Sequence, residues 1–241
     1  MRDFKFSPRP AALAQLPPAF DLSNDPSQPP IYDQGELGSC TAQAIAAAIQ
    51  FERRDAITKE DFIPSRLFIY YNERAMEGTI RIDAGAQIRD GIKSVAVLGA
   101  CREDYWPYNI SKFTKKPVMA CYKDGVKHSA IQYRRASRDL PSFKAAIFDR
   151  NLVVIGIAVY ESFMSEETAR TGIVKMPSRN EKMLGGHAVA VVGFNDETQC
   201  FVVRNSWGEN WGINGFFHLP YEFITDSDLS DDFWVITKIR S

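Results

Sequence analysis

"DQGELGSCTAQAIAAAIQFERRD", residues 33–55, sets a single cysteine directly after Gly38-Ser39 and directly before a long, alanine-rich apolar run. A cysteine kept for packing sits inside such a run, where it behaves as a small hydrophobe. Cys40 instead stands at the first turn of a helix expected from about Thr41 to Arg54, with Ala42, Ile45, Ala46 and Ile49 on one stripe. Unpaired backbone N–H groups and the helix dipole favour negative charge there. Such a place lowers a thiol pKa, and the thiolate is the nucleophilic form. The stretch alone leaves two readings open: a reactive thiol, or a helix start that happens to carry cysteine.

Two more helices follow in the front half. One is expected from Pro64 to Glu77, opening on Pro64-Ser65 and stopping at Gly78, with Leu67, Phe68, Tyr71 and Ala75 in phase. The next runs from about Ala86 to Leu98, carries Ile88, Ile92, Val95 and Ala96, and ends at Gly99. Beyond "WPYN" (106–109) the texture changes. After a short helix, "PSFKAAIFDR" (141–150), the runs "LVVIGIAVY", "HAVAVVGF", "CFVVRNS", "GFFHLP" and "FWVITKI" read as strands. Several are apolar on both faces, as sandwiched strands are. The first thirty residues are rich in proline and are expected to be extended or irregular. This segregation predicts an α+β fold of two lobes, a helical front lobe over about 36–130 and a β-rich back lobe over about 131–241, with a cleft between them.

A chain of 241 residues is long enough for such a core. Lysine and arginine (29) balance aspartate and glutamate (30), and no basic block or basic-aromatic stripe occurs. That pattern argues against a nucleic-acid or anionic-membrane partner. The longest strongly apolar run, residues 152–160, falls far short of the roughly 20 residues that span a bilayer. Residues 1–20 lack the apolar stretch of an export signal. The expected compartment is therefore the cytoplasm, with leaderless secretion as the alternative. Four cysteines, Cys40, Cys101, Cys121 and Cys200, are too sparse for a disulfide scaffold. Reduced thiols are expected, with one Cys101–Cys121 bridge as the alternative.

A nucleophilic thiol needs a base, and the base needs a group that orients it. The chain has three histidines. His128 lies in a polar stretch without evident context, and His218, in "GFFHLP", reads as structural. His187 follows Gly185-Gly186, which let backbone and ligand approach closely, and opens the strand "HAVAVVGF". Downstream, Asn205 can accept an imidazole N–H and hold one tautomer, and Trp207 and Trp211 can shield that bond from water.

Together these segments resemble the papain-like cysteine peptidases. "QGELGSC" (34–40) matches the family's glutamine-to-cysteine segment, "GHAVAVVG" (186–193) the segment around its histidine, and "RNSWGENWGING" (204–215) its asparagine-tryptophan segment. The order is the family's; His187 falls within about 130–150 residues of Cys40 and Asn205 a little beyond. "GIKSVAVLGACREDYWPYN" (91–109) resembles a further family stretch, and the resemblance covers about 16–241. It implies the papain-like two-lobe fold with the active-site cleft between the lobes.

By that resemblance Cys40 attacks a peptide carbonyl as a thiolate paired with protonated His187, and a thioester is then hydrolysed by water. Asn205 orients His187. Gln34 completes the oxyanion hole with the Cys40 backbone N–H. Gly85, Gly185, Gly186 and Trp207 are the expected substrate contacts, with Val159, Tyr160 and Phe163 lining the pocket beside the histidine strand. No metal or cofactor is called for; the partner is a peptide or protein substrate, and the expected state is a monomer. An endopeptidase is expected, with an exopeptidase, an isopeptidase or an inactive binding relative as alternatives.

The departures point to a bacterial-type branch. Leu37 stands where family members usually carry one half of a disulfide, Thr41 replaces a bulky aromatic residue, and "DAGAQIRDG" (83–91) stands in for the usual glycine wall. Where the family carries a long pro-domain, residues 1–15 are expected to form a proline-rich extension before "LPPAFDLS" (16–23). Phe4, Phe6 and Leu13 are candidate anchors for an arm packed near the cleft, with a frayed terminus as the alternative.

Overall fold

In the computed structural model, which describes residues 3–56 and 61–239, local chemistry sets the limits of the front helices. First come α1 (Pro10–Ala14) and β1 (Ala19–Asp21), which interrupt the stretch expected to be irregular. Pro10 opens α1, where a missing N–H costs nothing, and β1 is recruited by a strand far downstream. Then follow α2 (Cys40–Asp55), α3 (Arg66–Glu77) and α4 (Ile88–Leu98). The Ser65 hydroxyl caps α3 by accepting from the Phe68 N–H at 3.2 Å, worth about 1 kcal/mol. Gly99, at φ +68°, ends α4 where its backbone meets the last residue of α5 (Met119–Gly125): a Cβ there would lie 1.7 Å from the Gly125 carbonyl oxygen.

The expected stripe on α2 is an understatement. Every residue from Thr41 to Phe51 is buried, as in a helix enclosed on all sides. Its alanines let both lobes close on it, so α2 runs through the middle of the molecule and delivers its first residue, Cys40, to the junction.

The remaining elements are β2 (Ala130–Arg135), α6 (Leu140–Phe148), β3 (Val153–Tyr160), α7 (Glu166–Thr171), β4 (Met183–Asn195), β5 (Cys200–Arg204), β6 (Phe216–Pro220), α8 (Tyr221–Thr225) and β7 (Ser230–Ile239). They build an antiparallel sheet in the order β2-β7-β3-β4-β5-β6, with β1 paired to the far end of β4. Each of the five apolar runs is a strand. The sixth back-lobe strand, β2, has the mixed sequence AIQYRR and holds β7 through two register shifts, which blurs any alternation. Among the described residues no helix is long and apolar enough to cross a membrane. All four cysteines are free thiols; Cys101 and Cys121 are fully buried beside Phe68.

The N-terminal extension lies elsewhere than expected. Met1 and Arg2 are outside the described residues. Lys5 pairs with Arg135 at the edge of β2, Arg9 pairs with Asp149, and α1 packs on α6. Phe6 packs against the core, whereas Phe4 and Leu13 are exposed. The arm covers a sheet edge, which would otherwise offer unpaired backbone groups. None of its described residues lines the cleft, although Asp3 reaches Arg89 beside it.

Candidate active site

Three separate segments converge where α2 meets β4. Cys40 is the first residue of α2 and is half-buried. His187 lies in β4 opposite Ile157 of β3, and Asn205 follows β5 directly. The His187 Nε2 stands 2.8 Å from Asn205 Oδ1, which also accepts the Ser206 backbone N–H at 2.8 Å. An amide oxygen only accepts, so Nε2 carries the hydrogen and Nδ1 keeps its lone pair. Trp207 stacks on the imidazole at 4.8 Å and 25°, and Phe163 stacks on Trp211 behind it. Both members of the bond are buried, so water does not compete for it.

Each charge alone is disfavoured here. Burial pushes the His187 pKa down to about 4, against the pull of Asn205. Burial also pushes the Cys40 thiol up, while backbone N–H groups of Ala188 and Thr41 pull it down. The helix start alone therefore does not lower this thiol: desolvation outweighs it.

Gln34 sits in the strip joining the lobes. Its backbone N–H donates to the Ser206 carbonyl at 2.9 Å. Its side-chain Oε1 accepts from Ser206 Oγ at 2.7 Å, and its Nε2 donates to the Leu37 carbonyl at 3.0 Å. The second Nε2 hydrogen remains for a ligand. Behind the strip, the buried Arg204 guanidinium donates to the carbonyls of Pro29 and Pro30, fastening the N-terminal segment beneath the site.

A cleft of about 840 Å³ opens here, lined by Gln34, Cys40, Gly85, Gly185, Gly186, His187 and Trp207 among others. Seven of the eight expected catalytic and substrate-contact residues thus line one cleft; the eighth, Asn205, does not, and is held to the site by its bond to His187. Gly85 has φ +70°, a conformation that favours glycine, and a Cβ on Gly185 or Gly186 would meet nothing within 4 Å. Val159 lines the cleft as expected, but Tyr160 and Phe163 do not: Phe163 is buried in the cluster with Trp207, Trp211 and Phe217. Of the other histidines, His128 packs on Phe62 in the front lobe and His218 lies in β6. Among the described residues no cluster of three His, Cys, Asp or Glu side chains could hold a metal ion.

One buried carboxyl escaped the sequence reading. Glu73 of α3 accepts from Thr41 Oγ1 at 2.5 Å, while its Oε2 has no partner. Gly91 of α4 makes room for it: a Cβ there would lie 2.4 Å from that oxygen. Burial raises the Glu73 pKa from 4.5 to about 8. The unfolded chain thus releases this proton before the folded chain does, and stability falls as pH rises from about 4.5 to about 8. Glu73→Gln removes that loss and keeps an acceptor for Thr41. The expected result is a stability gain at pH 8, on the order of a few kcal/mol, read as a higher Tm that falls back towards the wild-type value at pH 5 in thermal melts. An equal gain at both pH values would contradict a protonated Glu73.

Comparison with known proteins bears on the family and the fold. The model of the papain family cysteine protease matches residues 16–230. An uncharacterized peptidase C1-like protein of Acanthamoeba polyphaga mimivirus is 44% identical over 86% of this chain and 69% of its own. Cathepsin B-like CP2 of Giardia intestinalis is 25% identical over 85% of this chain and 69% of its own. Among solved structures, xylellain, a cysteine protease from Xylella fastidiosa, superposes with a TM-score of 0.93 at 44% identity, covering 99% of this chain and 92% of that one.

Proposed function

Because the chain belongs to the papain family of cysteine proteases, we propose that it is an endopeptidase with Cys40 as nucleophile, His187 as base and acid, and Asn205 and Gln34 as supporting groups. One observation carries the reading. The 2.8 Å bond from His187 Nε2 to Asn205 Oδ1 leaves Nδ1 as the ring atom able to take the thiol proton.

The chemistry follows from that tautomer. The Cys40 proton passes to His187 Nδ1, and the thiolate adds to the scissile carbonyl carbon. The oxyanion that forms accepts the free Gln34 Nε2 hydrogen and the Cys40 backbone N–H. His187 returns its proton to the leaving amine as the C–N bond breaks, leaving a thioester. Water, deprotonated by His187, then displaces the thiol and releases the acid.

Cleavage inside a chain is supported by the back wall. Strand pairing sets Gly185–His187 of β4 beside Ile157–Val159 of β3, and Gly156–Ile157 beside Ser230–Asp231 of β7. Residues of all three strands line the cleft. Two strand spacings amount to roughly 10 Å, about three residues of extended peptide. Ala158, Val159 and the two glycines offer an apolar pocket beside His187, and the enzyme acts as a monomer.

The test has two arms. An epoxysuccinyl probe should label Cys40 in the native protein and fail to label the urea-unfolded chain. Cleavage-site profiling on a peptide library should find cuts at internal bonds with an apolar residue near the cut. Cuts confined to terminal residues would overturn the endopeptidase reading, and absence of both labelling and turnover would leave an inactive relative.

A further inference from the structure

Between the nucleophile segment and the facing wall stands one carboxylate with two donors. Asp83 accepts the Gly38 backbone N–H at both oxygens, 3.1 Å to Oδ1 and 3.0 Å to Oδ2. Its Oδ1 also accepts from the Tyr70 hydroxyl of α3. Asp83 lies two residues before Gly85 of the wall, and Gly38 two residues before Cys40. The contact is close on both sides. A Cβ on Gly38 would lie 3.0 Å from Asp83 Oδ1, and one on Gly85 would lie 3.8 Å from the Gly38 carbonyl oxygen.

The Gly38 N–H belongs to the same peptide unit as the Leu37 carbonyl, which accepts Gln34 Nε2 at 3.0 Å. That unit is planar, with rotation about its C–N bond blocked by about 18–20 kcal/mol. Holding the N–H on one side therefore fixes where the carbonyl points on the other. A charged acceptor also makes the stronger hydrogen bond and polarises the peptide, which strengthens the bond its carbonyl accepts. The Gln34 amide is thus held at its oxygen by Ser206 and at its nitrogen by a peptide plane whose far side is held by Asp83.

We infer that Asp83 is a positioning residue for the oxyanion hole, orienting the Gln34 side chain through the Leu37–Gly38 peptide. The inference rests on Gln34 being the oxyanion donor. Asp83 touches no substrate; it sets where the donor stands when charge develops on the carbonyl oxygen.

The experiment compares Asp83→Ala and Asp83→Asn with the wild type, alone and combined with Gln34→Ala. Hydrolysis of a short fluorogenic peptide is set against alkylation of Cys40 by iodoacetamide, which forms no oxyanion. The expected result is a kcat loss of about 10-fold or more in Asp83→Ala, with KM and the alkylation rate within about twofold. Asp83→Asn keeps an acceptor without its charge and should recover part of the loss. In the Gln34→Ala background, Asp83→Ala should add nothing further. Unchanged kcat in Asp83→Ala would overturn the inference. So would an additive loss in the double variant, or an equal fall in alkylation, either of which marks a structural role. If Gln34→Ala alone leaves kcat unchanged, it is the reading of Gln34 that fails.

Discussion

Cys40→Ala is expected to abolish peptide hydrolysis, and His187→Ala to lower it almost as far, each by a factor on the order of 10⁵–10⁶ in kcat. The two act as one unit. His187 held neutral in a buried site has no proton to give until Cys40 supplies it, and the Cys40 thiol, pushed up by burial, does not ionise alone. Removing either partner removes the proton transfer, so the double variant should be no worse than Cys40→Ala. Single-turnover assays with thermal melts separate lost chemistry from lost folding. Cys40 is only half-buried at the first position of α2, so its truncation leaves the apolar body of the helix intact. Wild-type kcat in Cys40→Ala would overturn the whole mechanism.

The sequence discloses most where the cause is local. Ser65 and Gly78 bound α3 because an N-cap and a left-handed C-terminal residue are properties of single residues. It discloses less where a distant partner decides. Strand β1 exists because the end of β4 needs a neighbour, β2 because β7 does. The burial of α2 on all sides follows from two lobes closing on alanines that carry no amphipathic signal. An arm expected beside the cleft runs instead along a sheet edge, where backbone pairing with Arg135 outweighs its exposed aromatic side chain.

The candidate site divides the same way. Cys40, His187, Asn205 and Gln34 stand out in the sequence because each sits in a dense local pattern of small and aromatic residues, and the structure sets three of them on one cleft with Asn205 bonded to His187. Phe163 was misplaced because aromatic character does not say which side of a strand end a ring will pack on. Glu73 and Asp83 were passed over for another reason. A carboxylate in a helix or a polar loop is usually solvated, and only the tertiary fold buries one under Thr41 and turns the other towards Gly38. The faint signal is glycine: Gly91 and Gly38 are the residues whose missing side chains make room for these carboxylates.

Gln34→Ala is expected to reduce kcat by about 10²–10³ with little change in KM, the usual cost of one oxyanion donor. The argument is one of timing. In the ground state the Gln34 amide is already satisfied by Ser206 at its oxygen and by Leu37 at one of its hydrogens. What remains is a single N–H, worth little to a neutral carbonyl and much to the negative oxygen formed when sulfur adds. Such a group stabilises the transition state over bound substrate, so kcat falls and KM does not. Asn205→Ala should cost less, because it loosens the orientation of His187 without removing a group that contacts the reacting atoms. Ser206→Ala offers an internal control. It frees one end of the Gln34 amide but keeps the donor, and its loss should lie below that of Gln34→Ala. Steady-state kinetics on one peptide, with the alkylation rate of Cys40 as reference, reads all three. A Gln34→Ala enzyme whose loss falls in KM instead would place Gln34 in substrate binding and leave the Cys40 N–H as the principal oxyanion donor.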